Sequence, residues 1–424
     1  MEGKPELMRN LLRSRNFLIG AGFAVTLVAL AACKAMLQHD DTAQASQGLQ
    51  APRYVVDPLW PKPLPNHWIL GSTIGVAVDA DDHIWIIHRG APTLSGHEKL
   101  LANGLGDCCT AAPPVLEFDQ AGNLLRHWGG PGPGYEWPDS NHGIFVDYKG
   151  NVWIGGNGGP DSQILKFTKD GKFLLQVGKK GARRVAGATA AAGGGEGAVA
   201  GFKGGSTDPL NFGRVAKIFV DPKENEAYIA DGYLNKRVAV LDADTGVMKR
   251  FWGAYGHVPD DTPMPAYDPS EPHAQQFHGP VHCADMSVDR LIYVCDRMSD
   301  RLQVFTAAGE FVREAYYHTN EKENGSVWDV AFSKDPQQRF IFIVDGVADK
   351  VRVIDRQTLK ELTAFGDGGR QPGQFQTVHS IAIDHEGNLY TTETYEGKRV
   401  QRFLLKGVGP VTTMDQGVPW PAAH

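Results

Sequence analysis

Basic residues are in short supply in this chain: Lys and Arg together number 42 against 49 Asp and Glu, a formal net charge of −7. Nucleic acids and anionic membrane surfaces are bound through clustered cations that displace counterions, so neither is expected as a partner. Cysteine is sparse as well, five in 424 residues, and none of the spacings is that of a zinc module. The composition also gives little support to long helices, because 50 Gly and 26 Pro suit a chain that turns often. What is plentiful is hydrophobic material, 42% of residues, enough for a sizeable core.

The N-terminal stretch stands apart from the rest. Arg9, Arg13 and Arg15 precede an apolar run from Phe17 to Ala32 that is short for a spanning helix and has the form of a secretory signal. The run ends in Leu30-Ala31-Ala32-Cys33, which resembles a bacterial lipobox, so Cys33 is expected to become a lipidated N-terminus, the alternative being a plain signal anchor. Residues 34–51 are polar and rich in Ala and Gln, as a tether would be. Export places the other four cysteines in an oxidising compartment. Cys283 and Cys295 fall on two strands of one expected hairpin, where a bridge and a reduced buried pair are both open; Cys108 and Cys109 are adjacent.

Beyond residue 52 one pattern recurs. SNHGIFVDYKGNVWIGG, from Ser140, reads as two short strands around a tight turn, and related units start near Ser72, Gly213, Pro280, Val327 and Val378. Each is followed by two more strands, as in ILKFTKDG and KFLLQVG, except the last, which lacks a fourth. Arg53-Tyr54-Val55-Val56 can supply that outer strand and close a ring, removing exposed edges. The fold class expected is therefore all-β, a six-bladed propeller of four-stranded antiparallel blades spanning residues 52–410, with a tail over 411–424. Three long insertions, Ala91 to Pro113, Lys179 to Phe212 and Ala254 to Gly279, all belong to connections at one mouth of such a ring. The Gly-rich part of the second, 184–208, reads equally as a lid or as a surface loop.

Aligning the six first strands on their terminal Asp or Ser exposes a second pattern five residues earlier: Ile74, His142, Ala216, His282, Trp328, His379. Histidine stands on every second blade, so three imidazoles converge on the axis at one height. Neutral imidazoles suit Zn²⁺, and three protein ligands leave a position open for substrate. Another divalent transition metal would also be accepted by this donor set, and a water-lined channel without metal is the bland alternative. Second strands ending at the same mouth supply His88-Arg89-Gly90, Asp231-Gly232-Tyr233 and Asp296-Arg297.

The histidine tripod, the HRG after the first hairpin, the DGY followed by Asn235 and Arg237, and the Asp-Arg after the fourth together resemble the peptidyl-α-hydroxyglycine α-amidating lyase family of NHL-repeat propellers, over roughly residues 52–405. The resemblance implies that His142, His282 and His379 are zinc ligands, that Tyr233 is the base or phenolate partner near the metal, and that Arg89 and Arg297 bind substrate. It implies a C–N lyase acting on an N-acyl-α-hydroxyglycine, a small or peptide-derived substrate. Where that family commonly has an acid after the third histidine, associated with structural calcium, this chain has Ser380, so Ca²⁺ is not expected. Two other classes remain: a metal-dependent propeller hydrolase or lactonase, and a non-catalytic envelope-tethered binding module. The expected location is the cell envelope, as a monomer touching the membrane only through its N-terminal lipid or signal anchor.

Overall fold

Three of the six hairpins of the repeat are built around one carboxylate at the end of the first strand. Asp147 accepts hydrogen bonds from the backbone N–H groups of Lys149 and Asn151 at 2.9 and 2.8 Å, and from the Trp153 indole at 2.9 Å. Asp79 repeats this with the Trp85 indole at 3.0 Å, and Asp384 with the Tyr390 hydroxyl at 3.0 Å. The carboxylate satisfies turn N–H groups that the strands cannot and pins a large aromatic into the interblade layer, which is why Asp and an aromatic recur at fixed offset.

The computed structural model describes residues 48–105, 107–187 and 200–421. The expected signal and lipobox, Cys33 included, lie outside the described residues, as do most of the tether and residues 188–199 of the Gly-rich insertion. Among the described residues no helix is long and apolar enough to cross a membrane.

Six four-stranded antiparallel sheets follow one another along the chain. Their first strands are Thr73–Val78, Asn141–Val146, Lys217–Asp221, Val281–Met286, Asp329–Phe332 and Val378–Ile383. The sixth blade consists of Val378–Ile383, Leu389–Glu393 and Arg399–Pro410 with Gln50–Asp57 as its outer strand, so the ring closes with the N-terminal strand as expected. Arg402 is tied to Asp57 at 2.5 Å and the Tyr54 hydroxyl donates to the Gly387 carbonyl at 3.2 Å across that join. Apolar side chains from neighbouring blades merge into successive layers, for example Trp85, Ile87 and Val115 against Ile144, Val152 and Ile154.

Residues 48–51 and Gly409–Thr413 cluster as a small separate unit, in which the Val411 N–H donates to the Leu49 carbonyl at 3.0 Å. Further on, the Ala364 N–H donates to Met414 and its carbonyl accepts from Gln416, extending blade five by a short parallel bridge. Cys283 and Cys295, cross-strand partners in blade four, are disulfide-bonded; Cys108 and Cys109 are free.

Candidate metal centre

The three histidines meet. Ring centroids of His142, His282 and His379 are 4.8 to 5.1 Å apart in all three pairs, and one ligating nitrogen from each lies within 4.8 Å of the others. Each side chain is 2% exposed. The intervening blades set the orientation. His142 Nδ1 is 2.6 Å from the carbonyl of Ala216, His282 Nδ1 is hydrogen-bonded to that of Trp328, and the carbonyl of Ile74 lies beside His379. These carbonyls belong to the residues that occupy the histidine position in the odd-numbered blades. A carbonyl only accepts, so Nδ1 of His142 and His282 carries the proton and Nε2 is left with its lone pair toward the axis.

All three imidazoles are held well below the ordinary histidine pKa. Burial is the main cause in each, reinforced by His379 and Arg89 at His142, by Arg297 at His282, and by Arg89 and Arg297 at His379. The tripod is therefore neutral at pH 7, as metal ligation requires. With the Ile74 carbonyl on one side of the ring, Nε2 of His379 is buried without a hydrogen-bond partner, an expensive arrangement for a polar group unless a further ligand satisfies it. Tetrahedral Zn–N bonds of about 2.0–2.1 Å place donor nitrogens about 3.4 Å apart, which the tripod reaches by a modest inward movement. Donor set, neutrality and spacing all fit a divalent ion, and the three histidines can hold one.

Tyr233 closes the tripod from the side. Its hydroxyl oxygen is 2.9 Å from His142 Nε2 and 3.0 Å from His282 Nε2, with the ring almost wholly buried. The bend that turns it inward is a buried knot, in which Asp231 accepts from Arg237 at 2.8 Å and from Asn235 at 2.7 Å. Acid-to-arginine knots recur at the same bend in the next three blades, Asp296 with Arg301, Asp345 with Arg352 and Glu393 with Arg399. Asn235 and Arg237 in the sequence motif are thus structural supports of Tyr233.

The two arginines reach the same centre. Arg297 is fully buried, donates to the Tyr233 hydroxyl at 3.4 Å, and lies over the Trp328 ring with its guanidinium carbon 4.4 Å from the ring centre. Arg89 is half-buried and held by the Asn141 carbonyl at 3.2 Å and by the Asn157 side-chain oxygen at 3.0 Å. The structure adds a third arginine that sequence reasoning missed. Arg214, fully buried, donates to the Asn157 carbonyl at 2.7 Å and sits 5.5 Å from the centre of the Tyr233 ring. Asn157 thereby positions two cations at once.

A propeller with a candidate metal centre at one mouth is the class that fold and site define. Comparison with known proteins places the chain at a distance from NHL-repeat proteins. No family model matches it. NHL repeat-containing protein 3 is 24% identical over 412 residues in Mus musculus, covering 91% of this chain and 95% of that protein, and 24% identical over 413 residues in Homo sapiens. Peptidylglycine alpha-amidating monooxygenase of Rattus norvegicus is 23% identical over 349 residues, 79% of this chain but only 30% of that protein. Among solved structures, a streptogramin B lyase superposes with a TM-score of 0.45 at 14% identity, over 84% of this chain and 98% of that one.

Proposed function

We propose that the protein is a zinc-dependent lyase that cleaves the C–N bond of an N-acyl-α-hydroxyglycine. The observation that carries this reading is the arrangement of three neutral, buried imidazoles with a tyrosine hydroxyl within 3.0 Å of two of them and two arginines beside it. His142, His282 and His379 would hold a divalent ion, whose Lewis acidity would lower the pKa of the substrate α-hydroxyl.

The chain's own residues do the rest. Tyr233 starts as the phenolate, favoured by Arg297 and Arg214 beside it; it takes up the hydroxyl proton, becoming the neutral phenol, and returns that proton to the departing amide nitrogen. As the C–N bond breaks, the electron pair of the O–H bond becomes the new C=O of glyoxylate, and the amide leaves with that proton, so atoms and charge balance. Arg297 and Arg89 bind the substrate carboxylate, which stays anionic throughout. Burial of the tripod excludes bulk water that would otherwise compete for the same proton.

Export of the chain to the cell envelope, anchored through a lipid on Cys33, belongs to the same reading; it predicts that Cys33→Ala leaves the membrane fraction. The activity is tested by incubating the purified protein with α-hydroxyhippurate and following glyoxylate. Release that stops with a chelator and returns with zinc is expected, and its loss in His142→Ala. A protein that hydrolyses esters under these conditions but releases no glyoxylate is a hydrolase. One that does neither is a binding module, and both outcomes reject the lyase.

A further inference from the structure

The insertion between blades three and four encloses a cavity of about 530 Å³, within the range of small-molecule sites. One turn links it to the tripod: Arg297 and Ser299 lie in the same three-residue helix, Arg297 donating to the Tyr233 hydroxyl while Ser299 lines the cavity. The walls are mainly apolar and aromatic. His273 stacks on Tyr316 with ring centres 4.1 Å apart, and Met264 and Tyr267 complete that side.

Two latches hold the cavity open. Arg301 donates to the carbonyls of Ala274 and Gln276 at 2.8 and 3.0 Å while paired with Asp296 at 2.7 Å, so its charge is already matched inside the protein. His278 Nε2 donates to the Pro265 carbonyl at 2.7 Å, joining the two ends of the insertion and leaving Nδ1 as an acceptor. The remaining charges on the lining, Asp268 and Glu271, are negative and exposed, and no lysine lines the cavity.

We infer that this cavity is the acyl subsite of the same centre, taking the bulky apolar or aromatic N-acyl group of the substrate and disfavouring acyl groups that carry a carboxylate. The inference rests on the lyase reading for its link to the tripod. An aromatic ring sheltered against Met264, Tyr267 and Tyr316 gains hydrophobic and stacking contacts that an acetyl group is too small to make. A second carboxylate would face Asp268 and Glu271 with no free cation to meet it.

The test is binding of unreactive N-acylglycines to the full-length protein by calorimetry. N-Benzoylglycine is expected to bind about 10-fold or more tightly than N-acetylglycine, and N-succinylglycine no more tightly than the acetyl compound. Ala266→Trp, on the exposed rim, should bring the benzoyl preference to within about 2-fold while leaving acetyl binding and the melting temperature in place, and Met264→Trp, as a second variant, should abolish the same preference. A benzoyl preference that survives both substitutions, or no preference in the parent protein, overturns the inference. The α-hydroxy counterparts separate it from the reading on which it rests. Glyoxylate release without acyl preference removes the subsite and keeps the lyase. Trp-sensitive benzoyl binding without glyoxylate release keeps the cavity as a ligand site and removes the lyase.

Discussion

The central channel has two ends that solve one problem differently. At the tripod, three neutral imidazoles of alternate blades converge, and Nε2 of His379 is left with no hydrogen-bond partner. Toward the other end the chain supplies its own cation. Lys217, largely but not wholly buried at the start of the first strand of blade three, pairs with Asp329 and lies 3.0 Å from Asp285, and Asp329 in turn accepts from the Ser380 hydroxyl at 2.6 Å and the Ile381 N–H at 3.0 Å. Four blades are joined there by a charge network that carries its own cation. The residues concerned are sequence neighbours of the tripod and its carbonyls: Lys217 follows Ala216, Asp329 follows Trp328 and Ser380 follows His379. The difference teaches that this end is built for permanence and the tripod end for an exchangeable ligand. Beside Ser380, the Lys217 ammonium already pairs with the Asp329 carboxylate.

Breaking the permanent end should produce the largest change in stability. Lys217→Met removes the cation and strands Asp285 and Asp329 in the channel, at an expected cost of about 3–5 kcal/mol, read as a drop of several degrees in melting temperature. Metal content should be retained in the variant that remains folded. At the other end Tyr233→Phe should leave the melting temperature nearly unchanged but lower kcat by about 100-fold, because only the proton-carrying oxygen is lost. Equal loss of stability in the two variants would erase the distinction between the ends.

The disulfide joins the strand of His282 to the strand leading to Arg297, with a sequence separation of 12. Replacing both cysteines by serine should cost about 2 kcal/mol, measured by denaturant unfolding, since a short loop constrains the unfolded chain modestly. The smallest effect is one of pH. Burial pushes the Asp300 carboxyl up to about 7, so the folded state binds a proton there that the unfolded state has already lost. The stability from that proton is complete below about pH 4 and lost as pH rises through 7. Asp300→Asn, which keeps an acceptor for the Ser326 N–H, should therefore compare better with the parent at pH 8 than at pH 5 in a melting series. An unchanged difference across that range would refute the assignment.

The propeller was legible because its determinants are local. Asp147 with Trp153, or Asp79 with Trp85, lies within six residues, and Asp384 with Tyr390 repeats the pattern. Ring closure followed from a missing strand at one end and a spare one at the other. The tripod was legible because a periodic fold converts a register in the sequence into a height on the axis. What escaped depends on contacts the register does not carry. The carbonyls of Ala216 and Trp328 orient their histidines through backbone atoms, which leave no mark on residue choice. Arg214 adopts a positive φ of 66° just before its strand, a conformation that no sequence signal marked, and its role comes from Asn157 in another blade. Lys217 looks like an ordinary strand lysine until blades three, four, five and six are brought together. The cavity beside Arg297 belongs to an insertion outside the repeat, where periodicity has nothing to say.

Metal stoichiometry tests the central claim most directly. After dialysis against zinc and then metal-free buffer, elemental analysis should find one zinc per chain in the parent protein and less than about a tenth of that in His282→Ala, with Lys217→Met keeping the full complement. A parent protein that retains no zinc, or an alanine variant that retains as much as the parent, contradicts the account.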